Sequence, residues 1–455
     1  MKFDRFDYLV WGILAALALT TAGLLWMEDS AGVRVIQTLP QDGTQPGANT
    51  SLQIEFDEPM QAATIFPRFT LASADATPVI GKFTWQGTTM IFTPDQPLIP
   101  GETYTAQLEA GGLAESGQVL SQAVSWEFQI RAPRIIYIHP DRTARDLWTI
   151  APNDLTPVQL TQTGGALYDY GISPNGERIA YSVATDEGGI DLWVIDQDGS
   201  NPTKLVACSP NRCSTPAWSP DSTLIAYSFE RVGVEPGSPY SAPRVWTVNV
   251  ESGQAAALFS DEQVTGYGPT WSPDGGRMAF FDQGTGNTRV LTLQTNEEMA
   301  LATSTGLPGS WSPDGAAMLF IGMLPDSGLE ALFLADFNLL DVSALLNSED
   351  MNGNFLAQPQ WSPDGEWVVF NFKPVGTEVG NQLWIMPFDM SFGQIIAADT
   401  AYAYYNFRWD DWSRAMVYQR LKLGDSDAQP EIMVWTLDSW VSEMVVNGTN
   451  PGWLP

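Results

Sequence analysis

The pentapeptide WSPDG occurs three times in this chain, at Trp271–Gly275, Trp311–Gly315 and Trp361–Gly365. Related copies begin at three further positions: ISPNG at Ile172, WSPDS at Trp218 and WDDWS at Trp409. The next tryptophan in phase is Trp453, inside NPGWLP at the C-terminus. Neighbouring copies lie 40 to 53 residues apart, and this period suits propeller blades of four strands each.

The SPDG residues have the chemistry of a tight turn. Proline fixes φ, aspartate can bond nearby backbone N–H groups, and glycine takes the positive φ that ends the turn. Each copy is followed by an apolar strand such as LIAYS or RMAFF, so the turn joins the innermost strand of a blade to the next strand. The tryptophan before each turn is predicted to pack between blades as scaffold. The set comprises Trp218, Trp271, Trp311, Trp361, Trp409 and Trp453.

The first repeat lacks an innermost strand, because Arg131 to Pro133 lead directly into the strand RIIYI. NPGWLP has the sequence of an innermost strand and nothing follows it. Pairing of the two would close the ring and remove exposed sheet edges. The sequence therefore predicts an all-β fold with a seven-bladed propeller over residues 134–455, and Trp453 in its core.

These repeats resemble the TolB-type β-propeller repeats of exported bacterial proteins. The resemblance covers residues 134–455, and it implies the fold rather than a function. TolB has a different N-terminal domain, so the partners of TolB are not carried over to this chain.

Residues 33–131 read as a separate β-sandwich. SLQIEF, KFTWQG, YTAQLE and SWEFQI alternate polar and apolar residues between Gly, Pro and Asp turns, as short strands do. The segments LPQDG, IEFDEPM and FTPDQPLIPGETYTAQL resemble the bacterial Ig-like domains of the SbsA type. That resemblance implies a spacer or adhesion module on the cell surface, with no catalytic residues.

The N-terminus has the pattern of a membrane anchor. Residues 8–26 carry no charge and would form a helix of about 28 Å, against a bilayer core of about 30 Å. Lys2 and Arg5 precede the run, which predicts a cytoplasmic tail at 1–7, a single-pass transmembrane helix at 8–26 and an extracytoplasmic remainder. A cleaved signal peptide is the alternative.

Composition narrows the choice of partners and of redox chemistry. The formal net charge is −32, with 21 Lys and Arg against 53 Asp and Glu. This balance argues against binding to nucleic acid or to anionic lipid headgroups, both of which need clustered basic residues. Cys208 and Cys213 are the two cysteines. In an exported chain they predict a small-loop disulfide, with a free dithiol as the alternative.

The sequence offers no catalytic set. It has no G-x-S-x-G motif, and its one histidine, His139, cannot complete a zinc site with two cysteines. Asp169 and Asp410 lie near innermost strands but do not form a convincing carboxylate pair of the glycosidase kind. DQDGSN at 196–201 faintly resembles a calcium loop without its final glutamate. We expect no enzyme activity, cofactor or metal.

One face of the propeller has the features of a recognition surface. Loops from second to third strands, and from each blade to the next, emerge together, and that face receives the long insertions beginning at Phe229, Asn371 and Gln419. Tyrosines near this face are Tyr168, Tyr170, Tyr267, Tyr402, Tyr404 and Tyr405. Large aromatic residues beside adaptable loops favour protein binding. We expect Tyr168, Tyr170 and Tyr404 to be the anchor residues at the channel mouth.

These observations lead to one preferred function and two alternatives. We expect a membrane-anchored, extracytoplasmic binding or scaffold protein with the propeller as its interaction platform. The alternatives are a propeller enzyme that acts on cell-surface glycan or peptide, and an accessory subunit of a membrane complex.

Overall fold

The computed structural model describes residues 32–140, 142–152, 154–235, 237–347, 353–355, 359–376 and 380–455. The chain divides into two compact units between Arg131 and Ala132. Within the described ranges, no helix combines the length and apolar character needed to cross a membrane. The predicted anchor at residues 8–26 lies outside these ranges.

The N-terminal unit is a β-sandwich of seven strands. They are β1 (Val35–Leu39), β2 (Leu52–Phe56), β3 (Phe69–Ser73), β4 (Gly81–Gln86), β5 (Thr89–Pro94), β6 (Thr103–Leu108) and β7 (Val124–Gln129). One sheet has the order β1-β2-β5-β4 and the other β3-β6-β7. A short helix α1 (Ala62–Ile65) and a 3-10 helix (Phe66–Arg68) lead into β3.

Aromatic packing holds the two sheets of the sandwich together. Burial alternates along β2 with period two, as the sequence pattern predicts. The ring of Phe69 in β3 lies 5.0 Å from that of Phe92 in β5 and 5.8 Å from that of Phe83 in β4, measured between centroids. The apolar faces of both sheets therefore meet in one core.

The C-terminal unit is a seven-bladed propeller, so the predicted all-β fold is confirmed for the described residues. Blade 1 contains β8 (Arg134–His139), β9 (Asp146–Ala151) and β10 (Asp154–Gln159). Blade 2 contains β11 (Leu167–Ile172), β12 (Arg178–Ala184), β13 (Ile190–Asp196) and β14 (Thr203–Val206). Blade 3 contains β15 (Arg212–Trp218), β16 (Leu224–Glu230), β17 (Arg244–Asn249) and β18 (Ala255–Ala257).

The remaining blades follow the same pattern, except that two short strands share the innermost position of blade 6. Blade 4 contains β19 (Tyr267–Trp271), β20 (Arg277–Asp282), β21 (Asn287–Thr292) and β22 (Glu298–Leu301). Blade 5 contains β23 (Ser310–Trp311), β24 (Ala317–Met323), β25 (Glu330–Asp336) and β26 (Asp341–Asn347). Blade 6 contains β27 (Gly353–Phe355), β28 (Gln360–Trp361), β29 (Trp367–Pro374), β30 (Gln382–Pro387) and β31 (Gln394–Ala397). Blade 7 contains β32 (Tyr402–Trp409), β33 (Ala415–Lys422), β34 (Glu431–Thr436) and β35 (Val441–Asn447).

The last strand, β36 (Thr449–Leu454), completes blade 1. It pairs antiparallel with β8, with Trp453 opposite Ile135 and Leu454 opposite Arg134. The sequence predicts Trp453 as a core residue, but the structure leaves it half-buried. Leu454, which is 1% exposed, instead packs with apolar residues of blades 1 and 2. Successive side chains of a strand point to opposite faces, and this register gives the more deeply buried position to the leucine.

The SPDG turns form by the hydrogen bonds that their residue types suggest. In blade 5, the hydroxyl of Ser312 donates to Asp314 Oδ1 at 2.6 Å, and the same oxygen accepts the N–H of Ala316 at 3.0 Å. Gly315 has φ 71°. Asp221, Asp274 and Asp364 accept the matching bonds in their own turns. The motif therefore builds the turn.

The motif tryptophans pack as scaffold. Trp218, Trp311 and Trp409 are buried, and Trp271, Trp361 and Trp453 are half-buried. Three indole N–H groups donate to a backbone carbonyl on the innermost strand of the preceding blade. The pairs are Trp218 to Gly171 at 3.0 Å, Trp271 to Ala217 at 3.1 Å and Trp453 to Arg408 at 3.2 Å. These bonds link one blade to the next around the ring.

Candidate functional site

The six predicted tyrosines do not form one exposed ring. Tyr168 is 47% exposed and Tyr405 is 40% exposed, while Tyr267 and Tyr402 are half-buried. The Arg420 guanidinium lies 4.3 Å from the ring centre of Tyr402, as in a cation–π contact. Tyr168 and Tyr405 are therefore the members of the set with most surface to offer a partner.

The expectation that Tyr404 is an anchor residue is wrong. Its side chain is 2% exposed, and its hydroxyl accepts the N–H of Asp399 at 2.9 Å. The backbone N–H of Tyr404 donates to Asn381 Oδ1 at 2.7 Å. Burial raises the pKa of this phenol. Tyr404 is part of the packing between blades 6 and 7.

Tyr170 connects two innermost strands through its hydroxyl group. Its hydroxyl donates to the carbonyl of Asn450 at 2.7 Å, which ties blade 2 to β36. Burial raises the pKa of Tyr170, while the nearby positive charge of Arg408 lowers it. Tyr170 is half-buried, and its hydroxyl is occupied at the seam of the ring. Its role as an anchor residue stays a prediction.

The cysteine loop lies on the face of the propeller that carries the long insertions beginning at Phe229, Asn371 and Gln419. We call this surface the long-loop face. Cys208 and Cys213 form a disulfide with 6.0 Å between their Cα atoms. Asp191 Oδ1 accepts the backbone N–H groups of Cys208 and Ser209, both at 2.8 Å. Lys204 Nζ lies 2.8 Å from Asp191 Oδ2. Burial raises the pKa of Asp191, but these hydrogen bonds and the lysine outweigh it and hold that pKa below its ordinary value.

The long insertion between β16 and β17 packs against this cysteine loop. The Arg212 guanidinium lies 3.7 Å from the ring centre of Tyr240. The Tyr240 hydroxyl donates to the carbonyl of Gly188 at 2.7 Å, and the N–H of Val232 donates to Asn211 Oδ1 at 3.0 Å. Val234 stands fully exposed at the tip. Three loops of blades 2 and 3 thus form one braced surface, which we call the loop platform. It comprises residues 185–189, 208–213, 231–235 and 237–243.

Asp169 lies on β11 beside the loop platform. Its Oδ2 accepts the N–H of Thr215 at 2.6 Å, while its Oδ1 is buried and has no hydrogen-bond partner among the described residues. Burial raises the pKa of Asp169. Burial raises the pKa of Tyr267, and electrostatic interactions with Tyr168, Asp169 and Glu230 raise it further.

The innermost strands enclose a cavity of about 530 Å³. A β-bulge interrupts several of these strands: the pairing register shifts in β15, β19, β32 and β36, where Thr215, Gly268, Asn406 and Asn450 take positive φ. Bulges re-aim side chains. The cavity is lined by Thr270, Ser310, Gln360, Asn406 and Arg408, together with apolar residues such as Leu307.

The residues considered for catalysis or metal binding have structural partners. Asp410 Oδ1 accepts the N–H of Arg414 at 2.8 Å, as the cap of a turn, and burial raises its pKa. His139 packs edge-on against Trp148, with 6.0 Å between ring centroids. In the DQDGSN stretch, Asp196 and Asp198 accept bonds from Asn201 and Ser200. No cluster of potential metal ligands occurs in the part of the chain that the structure describes.

Comparison with known families agrees with this architecture. Residues 176–395 match the TolB beta propeller domain, and residues 29–130 match the bacterial Ig-like domain. The chain thus combines a TolB-type β-propeller with a bacterial Ig-like domain. Both resemblances drawn from the sequence motifs are confirmed.

Several solved propeller structures are similar to this chain. TolB from Acinetobacter baumannii is 18% identical, with 71% of this chain and 83% of that chain covered and a TM-score of 0.42. The β-propeller domain of the Trilobed protease from Pyrococcus furiosus is 14% identical, with 78% and 98% covered and a TM-score of 0.49. A prolyl endopeptidase is 13% identical, with 68% and 48% covered and a TM-score of 0.51. Identities this low concern the fold alone, and this chain spans about half of the prolyl endopeptidase.

Proposed function

We propose that this protein is a membrane-anchored, extracytoplasmic binding protein whose propeller holds a protein partner on its long-loop face. The TolB-type propeller is the interaction platform, and the Ig-like domain is a spacer. The protein is not an enzyme in this proposal: Asp169 accepts a backbone bond at 2.6 Å and Asp410 caps a turn. These are structural roles for the acids nearest the channel.

The loop platform is the observation that carries the proposal. A disulfide, a cation–π contact and several side-chain hydrogen bonds fix its loops before any partner arrives. A surface that is already ordered loses less conformational entropy on binding. Exposed apolar groups remain on it or beside it, including Val234 and Tyr168. The SPDG turns of the opposite face are short and alike, so they offer little basis for discrimination between partners.

Affinity purification from native membranes tests the proposal. The partner recovered with the wild-type chain is measured against a variant with Tyr168→Ala and Val234→Ser. Truncation of an anchor residue typically costs about 2 kcal/mol, roughly a thirtyfold loss of affinity. We expect the variant to lose the partner.

The matched control changes exposed apolar residues in turns on the opposite face. Leu339 and Trp440 lie between third and fourth strands and are exposed. A variant with Leu339→Ser and Trp440→Ala should keep the partner. Loss of the partner from this control, with retention by the face variant and both proteins folded, would place the binding surface on the other side.

The membrane anchor has its own test. Residues 8–26 are uncharged and lack a convincing cleavage site after them. N-terminal sequencing of the protein extracted from membranes should therefore find a start before residue 8. A mature start beyond Trp26 would show a cleaved signal peptide instead.

A further inference from the structure

Arg408 is a single charge within a ring of neutral residues. It precedes the motif tryptophan of blade 7, on the innermost strand β32. The residues at the same position of the other six blades are Gly171, Ala217, Thr270, Ser310, Gln360 and Gly452. Four members of this ring, including Arg408, line the cavity of about 530 Å³. The fold therefore brings one guanidinium to a cavity whose other lining residues are uncharged.

No carboxylate among the described residues forms an ion pair with Arg408. Across the described ranges, none lies within the 4.0 Å that defines an ion pair with it. Its Nη1 donates to the carbonyl of Phe407 at 2.8 Å, which leaves most of its five N–H donors available. Arg408 keeps solvent-exposed surface, although desolvation by the surrounding protein lowers the pKa of its guanidinium. Although the chain contains 53 acidic residues, those that the structure describes give this arginine no acidic partner.

Neutral donors stand on the same cavity wall. The hydroxyl of Ser310 accepts the N–H of Trp361 at 3.2 Å and keeps its own proton to donate. The Thr270 hydroxyl and the Gln360 amide line the cavity with it. Leu307 and Phe407 add apolar surface. One charged group, a few polar groups and apolar walls in a cavity of this size are typical of a small-ligand site.

We propose that the central channel binds a carboxylate, held by the Arg408 guanidinium. The planar fork of arginine matches a carboxylate with two parallel hydrogen bonds. The net charge of −32 repels an anion in proportion to its charge, and this favours a singly charged carboxylate over a phosphate. The carboxylate belongs either to a free small acid or to a peptide segment that enters the channel. This site does not depend on the loop platform.

Titration of the full chain in detergent with 4-fluorobenzoate, followed by ¹⁹F NMR, tests the site. The probe carries one carboxylate and an apolar ring, and 4-fluorobenzamide is its uncharged counterpart. We expect saturable binding of the benzoate, at least tenfold weaker binding of the benzamide, and at least tenfold weaker benzoate binding by Arg408→Gln. Arg408→Lys should retain part of the affinity, because a lysine keeps the charge but not the fork.

Arg414→Gln is the matched control, since Arg414 is exposed at a turn of the same blade. It removes the same charge and should leave benzoate binding unchanged. Equal affinity for the benzoate and the benzamide, no saturable binding, or unchanged binding by folded Arg408→Gln would each overturn the proposal. The two probes compare affinities on the wild-type chain, so the test stands even if Arg408→Gln does not fold.

A second arm separates the two sources of the carboxylate. A fluorescein-labelled hexaalanine with a free C-terminal carboxylate is compared with its amidated form by fluorescence polarisation. Preference for the free carboxylate that Arg408→Gln abolishes identifies a peptide terminus as a ligand. Benzoate binding without any peptide binding identifies a free small acid.

Discussion

Three tryptophans of the repeat motif each donate an indole hydrogen bond to the neighbouring blade, and three others do not. Trp311, Trp361 and Trp409 have buried indole nitrogens with no partner among the described residues. Trp311 and Trp361 end innermost strands of only two residues, β23 and β28. Trp409 ends β32, in the blade that follows β28. The motif tryptophan therefore adds a hydrogen bond between blades at some positions and only packing at others.

Replacement of these tryptophans by phenylalanine separates the hydrogen bond from the packing. Trp218→Phe removes the donor to the Gly171 carbonyl, whereas Trp311→Phe removes an unsatisfied donor. Both side chains are buried, so the loss of ring volume is similar. We expect Trp218→Phe to cost about 1 kcal/mol more in the free energy of unfolding. Urea denaturation measures both variants, and equal losses would show that the indole bond contributes nothing.

The buried carboxyl of Asp169 makes propeller stability depend on pH. Burial raises its folded-state pKa above the ordinary 3.8, so the folded state holds this proton more tightly than the unfolded state. The stability that the protonated Asp169 carboxyl contributes is therefore fully present below pH 3.8. It is lost as the pH rises through the raised pKa. In Asp169→Asn the amide oxygen can still accept the Thr215 N–H without this penalty. As the pH rises above 3.8, we expect the melting temperature of the variant to rise relative to that of the wild type, until the wild-type carboxyl is fully ionised.

Asp282 makes the stability of the propeller depend on pH in the opposite direction. Burial raises its pKa, but hydrogen bonds from Thr265 and Gly284 and the charge of Arg289 hold that pKa below 3.8. Its contribution is present at neutral pH and is lost as pH falls through the lowered pKa. Asp282→Asn should therefore melt below the wild type at neutral pH. The melting temperature of Asp169→Asn, taken relative to the wild type, could instead fall or stay constant as the pH rises. Either result would contradict the raised pKa of Asp169.

Local chemistry predicts the SPDG turns, but it does not predict the directions of the tyrosine side chains. The roles of Ser, Asp and Gly in SPDG are set within five residues. The side-chain direction of Tyr404 depends on β32, where the pairing register shifts between Tyr405 and Arg408. The sequence does not mark such a bulge, so the inward direction of the Tyr404 side chain cannot be predicted from it.

At the level of elements, β36 is the strand that completes blade 1. It pairs with β8, and its removal would leave β8 as an open edge and expose the cluster around Leu454 and Ile136. A chain that ends at Gly448 is expected to unfold at a much lower temperature than the full chain. Leu454→Ala in the full chain, which keeps the pairing, should cost about 2–5 kcal/mol. An unchanged melting temperature for the truncated chain would mean that the ring does not need this strand.

The loops of the loop platform can be predicted from the sequence, but the contacts that brace them cannot. The insertion between β16 and β17 is visible as a long polar stretch, and the two cysteines suggest a staple. The bonds that brace the platform join residues distant in sequence, such as Tyr240 to Gly188 and Arg212. Composition does not indicate which arginine meets which aromatic ring, so the braced surface emerges only from the folded blades.

Folding of the whole propeller brings together residues that lie one per repeat in the sequence. Counting motif copies gave seven blades, because each copy marks one innermost strand. The channel is different: Arg408 is unremarkable within its own repeat and becomes the single charge of its ring once all seven strands surround the axis. The strongly acidic composition conceals this site, since a net charge of −32 suggests cations rather than anions as ligands.

Site-specific photo-crosslinking in native membranes tests most directly whether the long-loop face binds a protein partner. A photoreactive phenylalanine analogue replaces Tyr168 or Val234 on that face, and Leu339 or Trp440 on the opposite face; all four are exposed in the structure. Irradiation should yield a discrete higher-mass adduct from positions 168 and 234 and none from 339 and 440. Adducts only from the opposite face, or from none of the four positions, would contradict the proposed role of the long-loop face.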